Sequence, residues 1–315
     1  MPWKTKLVGT KPAYCAQRAE EFVLGEFDVA TANKEQWTTT MHSRIWQRSV
    51  SGNIETLPNG IYNFVKMDYE PWLVQMDLDN SELILDLKHV NAIAEDFTNF
   101  STKRNLYQEL NLKHKKGILL YGPPGTGKTS TIHKLIQEIR PENSLVIFMH
   151  RRLDSETREL LNADPRLKIF ILEELTEICA SLEWGMRELL NFLDGENSLS
   201  HSFIVGTTNY PEKLPSNIVD RPGRFDKLFK INYLGKDEIK TYAENKLNRP
   251  LNTEEFVELT SIPKPTVAAI KELLLLHLRD NLTIKQAATN IKEHKKLAEN
   301  EFSETRHIGF DSWED

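Results

Sequence analysis

A glycine-rich stretch of this sequence carries a lysine followed by two hydroxyl residues: Gly122-Pro123-Pro124-Gly125-Thr126-Gly127-Lys128-Thr129-Ser130. Glycines allow successive backbone N–H groups to turn towards a polyphosphate. An apolar run, residues 118–121, precedes the stretch, and a helical pattern starts near Lys128. Strand, loop and helix in this order are typical of a P-loop, in which Lys128 would bind the β- and γ-phosphates of ATP and Thr129 would bind Mg²⁺.

Two adjacent carboxylates end a second apolar strand. The run from 169 to 172 is followed directly by Glu173 and Glu174. Mg²⁺ prefers hard oxygen ligands, so Glu173 is a candidate for the metal and its water shell. Glu174 is then the candidate base that polarises the attacking water. The alternative is a pair of solvent-exposed acids at the end of a strand.

Polar residues also follow a third apolar strand, over 203–205. Asn209 closes the segment Thr207-Thr208-Asn209, where its amide could bind the γ-phosphate or orient the water. A turn further along, Asp220-Arg221-Pro222-Gly223-Arg224-Phe225-Asp226, holds two arginines. An arginine inserted from a neighbouring subunit stabilises the charge that develops on a transferred phosphoryl group. The alternative is a surface turn with two solvated arginines.

The elements around these residues alternate between strand and helix. Strands are predicted at 118–121, 145–149, 169–172, 203–205 and 228–231, with helices around 131–139, 156–161, 186–193 and 215–219. Short apolar strands between helices predict a mostly parallel sheet covered on both faces. After Gly235 only helices are predicted, at 237–247, 253–259, 266–278 and 284–297, with Thr253 and Thr283 as N-caps.

The first 95 residues are predicted to form a small α/β or β-rich appendage, with strands near 60–65, 72–76 and 83–87. We therefore divide the chain into an appendage (1–95), a P-loop core (96–235), a helical lid (236–303) and an acidic, aromatic tail (304–315). Such a tail is usually disordered, and the alternative, from its acidic and aromatic residues, is a peptide that docks on a partner.

Bulk properties narrow the class of protein. The chain has 315 residues, is 39% hydrophobic and carries a net charge of −6, which is ordinary for a globular protein and argues against one that coats nucleic acid. Its longest aliphatic run, 273–276, is far shorter than the roughly 20 residues that span a bilayer. Cys15 and Cys179 stand alone, which indicates no disulfide framework. These features predict a cytoplasmic protein without a membrane anchor.

The four motifs, in this order, resemble an AAA-family ATPase module over roughly residues 90–300. Within the family the chain is similar to the clade of the mitochondrial Rieske-protein translocase. The likeness rests on Leu189-Leu190-Asn191-Phe192-Leu193-Asp194-Gly195, on the segment from Thr207 to Leu214, and on Leu172-Glu173-Glu174. The clade has Leu-Glu-Asp at the last of these, so glutamate at the first acidic position is usual there.

The resemblance implies an α/β P-loop core with a helical lid, assembled as a homo-oligomeric ring that is expected to be a hexamer. Lys128, Thr129, Glu173, Glu174 and Asn209 would act in cis. Arg221 and Arg224 would act in trans, with Arg224 as the direct phosphate contact. The chain departs from the family in three ways. No membrane anchor like that of the clade is expected, no aromatic gripping loop stands between 150 and 167, and only Lys264 and Lys271 stand near the position of the sensor-two arginine.

The predicted function is therefore ATP-driven remodelling or translocation of a protein partner, as a chaperone does. Three other readings stay open at this point. They are a nucleic-acid-acting ATPase of the helicase-loader or clamp-loader type, a metabolic P-loop kinase, and a scaffold that uses ATP only to assemble.

Overall fold

The computed structural model describes residues 36–39, 45–49, 57–67, 70–78, 88–139, 144–181, 185–194, 198–221 and 223–304. The strands are β1 (Gln36–Thr39), β2 (Ile45–Ser49), β3 (Gly60–Met67), β4 (Glu70–Met76), β5 (Lys115–Tyr121), β6 (Ser144–Met149), β7 (Leu167–Leu172), β8 (Ser202–Thr208) and β9 (Lys227–Lys230). The helices are α1 (Lys88–Ser101), α2 (Arg104–Glu109), α3 (Lys128–Glu138), α4 (Ser155–Ala163), α5 (Leu175–Ala180), α6 (Gly185–Leu193), α7 (Ser216–Val219), α8 (Lys236–Leu247), α9 (Thr253–Thr260), α10 (Val267–Arg279) and α11 (Ile284–Glu304).

All nine of these strands belong to one sheet, in the order β1-β2-β4-β3-β6-β7-β8-β5-β9. The strands from β3 to β9 in this order run parallel to one another. Every residue of β6, β7 and β8 is buried, as expected for parallel strands covered on both faces. The predicted α/β core with a mostly parallel sheet is therefore confirmed.

The loop after β5 lies at the point in the sheet where the connections between strands change direction. The chain leaves β5, passes β8 and β7 and adds β6, whereas after β8 it returns to the other side of β5 and adds β9. Ligands of open parallel sheets bind at the carboxyl ends of the strands where such a reversal occurs. The P-loop motif follows β5 at this position.

The N-terminal strands continue the same sheet. β3 pairs in parallel with β6, from Gly60 opposite Leu145 to Phe64 opposite Met149, and β4, β2 and β1 follow in antiparallel pairs. The predicted boundary between residues 95 and 96 falls inside α1. A separate appendage domain stays a prediction, and both the predicted strand at 83–87 and the tail from residue 305 lie outside the described residues.

The described residues pack as two compact units. One holds the nine strands and consists of the described residues before Lys88, of His89–Tyr121 and of Thr129–Lys230; the other contains Gly122–Lys128 and the residues from 231 onward. The second unit is helical after residue 235, as predicted. Among the described helices, none has the length and apolarity that a membrane span requires.

The predicted cap of α9 is wrong by one residue. Asn252, and not Thr253, is the N-cap: its side chain accepts a hydrogen bond from the Glu255 N–H over 2.8 Å, and the Glu255 carboxylate accepts from the Asn252 N–H over 3.1 Å. Both residue types suit an N-cap, so the sequence could not separate them. The predicted cap Thr283 is confirmed, since its hydroxyl accepts from the Gln286 N–H over 3.2 Å.

A pair of histidines joins the amino ends of β5 and β8. The Nδ1 atoms of His114 and His201 lie 2.7 Å apart, and His114 Nε2 lies 2.9 Å from the Phe100 carbonyl oxygen. A neutral His114 that donates from Nε2 to that carbonyl can accept from His201 at Nδ1. Burial lowers the pKa of His114, and burial, with the charges of Arg104 and Lys168, lowers the pKa of His201 to about 4.

We expect this pair to make the fold sensitive to acid. The pKa of His201 is lower in the folded chain than the value of about 6.5 in an unfolded chain, so its contribution to stability is present above pH 6.5 and is lost as the pH falls towards 4. Between these two pH values the wild type should lose roughly 2 kcal/mol more free energy of unfolding than His201→Asn does. Asparagine tolerates the left-handed backbone at this position, where φ is 53°.

Urea unfolding at a series of pH values measures this difference. His294→Gln, which replaces an exposed histidine of α11, is the control and should keep the wild-type dependence on pH. Parallel pH profiles for the wild type and His201→Asn would contradict the assignment of a neutral, hydrogen-bonded pair.

Candidate functional site

The P-loop is closed by its own polar groups. Gly125 and Gly127 have φ angles of 74° and 99°, which favour glycine. The Thr126 hydroxyl donates to the Pro123 carbonyl over 2.8 Å. Lys128 Nζ, which is buried, donates to the carbonyl oxygens of Gly122 and Pro123 over 2.8 and 2.9 Å. The loop therefore has the left-handed turns and the internal lysine of a phosphate cradle.

The first turn of α10 contacts this loop. The Ala268 N–H donates to the Gly125 carbonyl over 3.2 Å, and a side chain on Gly127 would meet Val267 Cγ2 at 3.3 Å. Thr266 caps the helix by accepting from the Ala269 N–H over 3.1 Å. Small apolar residues thus occupy the start of α10, the position at which the family resemblance places a sensor-two arginine. The candidate Lys264 precedes the helix, where its carbonyl accepts from Lys295 Nζ over 3.0 Å.

The predicted metal ligands lie in contact. Thr129, in the first turn of α3, donates its hydroxyl hydrogen to Glu173 Oε1 over 2.8 Å, and Glu173 directly follows β7. A hydroxyl and a carboxylate are both hard oxygen donors, and Mg²⁺ in such sites takes its other ligands from substrate phosphates and water. These two residues therefore fit Mg²⁺.

The predicted base, Glu174, is in contact with Asn209, which was predicted to bind the γ-phosphate or to orient the water. Asn209 Nδ2 donates to both carboxylate oxygens of Glu174, over 2.7 Å to Oε1 and 2.9 Å to Oε2. The Glu174 backbone is left-handed, with a φ of 52°, and its N–H donates to the Thr207 hydroxyl over 3.1 Å. Unfavourable backbone geometry of this kind persists where the surroundings enforce it, commonly at functional sites. The arrangement fixes the plane of the Glu174 carboxylate at the end of β7.

Two further hydroxyls support this end of the sheet. Thr176 Oγ1, on α5, lies 2.7 Å from Thr208 Oγ1 on β8, and the Thr208 oxygen also accepts from the Tyr210 N–H over 3.0 Å. Thr208 belongs to the polar strand end singled out from the sequence. Nothing in the sequence pointed to Thr176, because its partner Thr208 lies on β8 and α5 was not predicted.

The two arginines of the arginine turn, residues 220–226, differ sharply in exposure. The side chain of Arg224 is 4% exposed, whereas that of Arg221 is 65% exposed. Arg224 donates from Nε to Asp194 Oδ2 over 2.9 Å and from Nη2 to Asp194 Oδ1 over 3.3 Å, and it also contacts the Asn217 carbonyl. Arg221, rather than Arg224, is thus the arginine of this turn that is open to another molecule, which reverses the order of preference taken from the sequence.

The arginine turn is fixed to β5. The Asp226 N–H donates to the Gly117 carbonyl over 2.8 Å, and the Gly117 N–H donates to Asp226 Oδ2 over 2.9 Å. A Cβ on Gly117 would stand 1.9 Å from the Arg224 carbonyl oxygen. The turn therefore needs a glycine in the middle of the strand that carries the P-loop.

Replacement of Gly117 by alanine should consequently destabilise the protein by about 3 kcal/mol or more, because the overlap is with backbone and cannot be relieved by a rotamer change. Thermal unfolding measures this loss. Gly235→Ala is the matched control, since its Cβ would lie 3.4 Å from the Glu238 carboxylate and should cost less than about 1 kcal/mol. Equal stability of the two variants would contradict the close approach of the turn to β5.

Lys115, the first residue of β5, lies close to the same arginine turn. Burial lowers its pKa to about 8, while the negative charges of Asp194 and Asp226 oppose this shift. Its Nζ contacts the Leu193 carbonyl at the end of α6.

Comparison with known proteins identifies the module. A family model described as ATPase family associated with various cellular activities (AAA) matches residues 118–233, which include the P-loop, both glutamates, Asn209 and the arginine turn. The chain carries an AAA ATPase domain. The AAA module and its ATPase class, both predicted from the sequence, are thereby confirmed for these residues.

Similar curated proteins include mitochondrial chaperones. The chain is 30% identical over 216 residues to the Protein HYPER-SENSITIVITY-RELATED 4 of Arabidopsis thaliana. The matched stretch covers 59% of this chain and 37% of that protein. It is 31% identical over 157 residues to the Probable mitochondrial chaperone bcs1 of Schizosaccharomyces pombe, covering 46% and 35%. It is 32% identical over 162 residues to the Mitochondrial chaperone BCS1 of Danio rerio, covering 46% and 38%. The chain thus spans about a third to a half of the length of the curated relatives it matches.

Proposed function

We propose that this AAA ATPase assembles as a homo-oligomeric ring, a hexamer, and hydrolyses ATP to remodel or translocate a protein partner. The observation that carries the proposal is the exposed Arg221 beside the buried Arg224, in a turn fixed to the P-loop strand. An exposed guanidinium on a fixed support can reach the phosphates of a neighbouring copy.

The residues of one copy have separate roles in ATP hydrolysis. The P-loop and Lys128 bind the triphosphate, and Thr129 with Glu173 binds the metal. Mg²⁺, when bound, neutralises charge on the phosphate oxygens. Glu174 accepts a proton from the attacking water, and the Asn209 amide keeps its carboxylate oriented. Arg221 of an adjacent copy stabilises the negative charge that develops on the γ-phosphate, so that each site works only beside a neighbour.

Two observations support a protein as the partner. Relatives are named mitochondrial chaperones, and the acidic net charge of −6 disfavours a nucleic-acid substrate. A cytoplasmic location and the absence of a membrane partner stay predictions.

The partner is moved without a gripping aromatic loop. After β6 the chain runs through His150, Arg151 and Arg152 to Asp154, which caps α4 by accepting from the Thr157 N–H over 2.8 Å. Residues 150–167 contain no aromatic ring other than the imidazole of His150. Remodelling of a folded partner therefore suits this chain better than the threading of an unfolded one.

A hydrolysis-deficient variant tests the proposal. Glu174→Gln should bind ATP, form a ring whose mass by light scattering is that of six copies, and retain a protein partner that the wild type releases on hydrolysis. Lys128→Ala, which lacks the phosphate-binding lysine, is the control and should neither bind ATP nor retain the partner. Recovery of nucleic acid alone, or stimulation of ATP hydrolysis by DNA or RNA, would favour the nucleic-acid-acting alternative and contradict this proposal.

A further inference from the structure

Asp194 connects the two arginines and takes no part in the hydrolysis described above. It directly follows α6, and its backbone N–H donates to the Leu190 carbonyl over 3.0 Å, so that it is held by the last turn of the helix. Its side chain is only 16% exposed. The carboxylate is therefore anchored by its own backbone and largely withdrawn from water.

Arg224 fixes the orientation of this carboxylate. Two nitrogens of one guanidinium donate to the two oxygens of Asp194, over 2.9 and 3.3 Å, and the remaining Nη1 contacts the Asn217 carbonyl. A planar guanidinium bound at two points defines both the position and the plane of its partner. The buried pair is consequently a rigid support.

Arg221 rests on this support through one nitrogen. Its Nε lies 3.3 Å from Asp194 Oδ2, the same oxygen that accepts from Arg224 Nε. Because Nε is the nitrogen that lies at ion-pair distance from Asp194, the two terminal nitrogens of Arg221 remain for another acceptor. Two guanidiniums share one carboxylate, so one positive charge is in excess, and the exposed member of the pair is Arg221.

An Arg221 side chain that is already held in place should raise the rate of hydrolysis. A free arginine gives up roughly 2 kcal/mol of rotamer entropy when it is fixed, and a side chain already held in place has less to lose. Small errors in the position of a group that acts on the transition state cost as much as about 100-fold in rate.

We propose that Asp194 is a positioning residue for ATP hydrolysis: it holds Arg221 on the support of Arg224 so that the terminal nitrogens of Arg221 meet the triphosphate bound by an adjacent copy of this chain. The inference rests on the proposed function, in which Arg221 acts between copies. It assigns Asp194 to the neighbour's reaction and leaves ATP binding in its own P-loop unaffected.

A double-mutant cycle on the full chain separates positioning from a structural role. The variants are Asp194→Asn, Arg221→Ala and the double variant, assayed for kcat with radiolabelled ATP, for KM and for the midpoint of thermal unfolding. We expect Asp194→Asn to lower kcat roughly 10- to 100-fold when Arg221 is present and less than about twofold when Arg221 is alanine, with KM unchanged. The loss of thermal stability should be the same in both backgrounds.

Other outcomes overturn the proposal in distinguishable ways. An equal loss of kcat in both backgrounds, or no loss, would remove the positioning role and leave the proposed function standing. Full activity of Arg221→Ala would remove both. Should Asp194→Asn fail to fold, Asp194→Glu replaces it in the same double-mutant cycle. This variant keeps the charge beside Arg224 and shifts the carboxylate oxygens by one methylene.

A matched control comes from the helical unit. Glu255 accepts from Arg249 at both oxygens, over 2.7 and 2.8 Å, so Glu255→Gln removes a carboxylate from a comparable two-point pair. This variant should keep kcat within a factor of about two. A loss as large as that of Asp194→Asn would show that any broken arginine–carboxylate pair slows the enzyme, which would overturn the specific role of Asp194.

Discussion

Glu174→Gln should lower kcat for ATP hydrolysis by about 10²- to 10⁴-fold, because the amide cannot take the proton of the attacking water. ATP affinity should stay close to that of the wild type, since the variant leaves the P-loop, Lys128 and Thr129 intact. Glutamine keeps one oxygen that can accept from Asn209 Nδ2, now 2.7 and 2.9 Å from the two carboxylate oxygens. Phosphate release and binding of a fluorescent ATP analogue measure the two quantities.

Glu177→Gln is the control for this loss. Glu177 lies in the first turn of α5, as the next carboxylate after Glu174, but its side chain is exposed. Its replacement should keep kcat within a factor of about two. A kcat of Glu174→Gln within threefold of the wild type would contradict the assignment of the base.

The second large effect is expected at Arg221. Arg221→Ala should lower kcat by about 10³-fold or more, by analogy with the arginine fingers of other P-loop enzymes. Its effect on stability should be small, since the side chain is 65% exposed. Arg224→Ala should instead destabilise the fold by about 2–4 kcal/mol, because it leaves the largely buried Asp194 carboxylate without its two-point partner.

Mixed assemblies show whether Arg221 acts between copies. Arg221→Ala and Glu174→Gln, co-expressed with different tags and purified through both, combine intact nucleotide sites of the first with intact arginines of the second. Their joint activity should exceed the sum of the separate activities severalfold. Activity equal to that sum would place Arg221 in the site of its own copy, or outside the reaction.

The elements around the predicted P-loop could be predicted from the sequence because their signal is local. A strand, a glycine-rich loop and a helix follow one another without interruption, and Glu173, Glu174 and Asn209 each stand directly after a buried parallel strand. Carboxyl ends of parallel strands meet at one edge of a sheet, and the contact between Glu174 and Asn209 lies at that edge because β7 and β8 are neighbours.

The roles of the two arginines could not be predicted in this way. Both lie in one turn, and their difference depends on Asp194 and on the Gly117 backbone, which are far away in the sequence. The helix-end segment that contains Asp194 carried a family resemblance but no indication of its partner. Burial of one guanidinium is a tertiary property, and residue type does not report it.

Pairing between distant segments also explains why two N-terminal strands, and the pairing of β3, were not predicted. The strands near 60–65 and 72–76 were predicted from their composition, but β1 and β2 were not, and nothing in the local pattern indicated that β3 would pair with β6. Register between strands from distant parts of the chain is set by packing, which a single sequence does not display.

The pairing of β3 with β6 has a mechanical consequence. A ladder of backbone hydrogen bonds runs without a break from the ATPase core through β3 and β4 to β2 and β1. Such a connection is stiff, unlike a linker that absorbs movement. We therefore expect any tilt of the core during ATP turnover to move the outermost strands, β2 and β1, together with it.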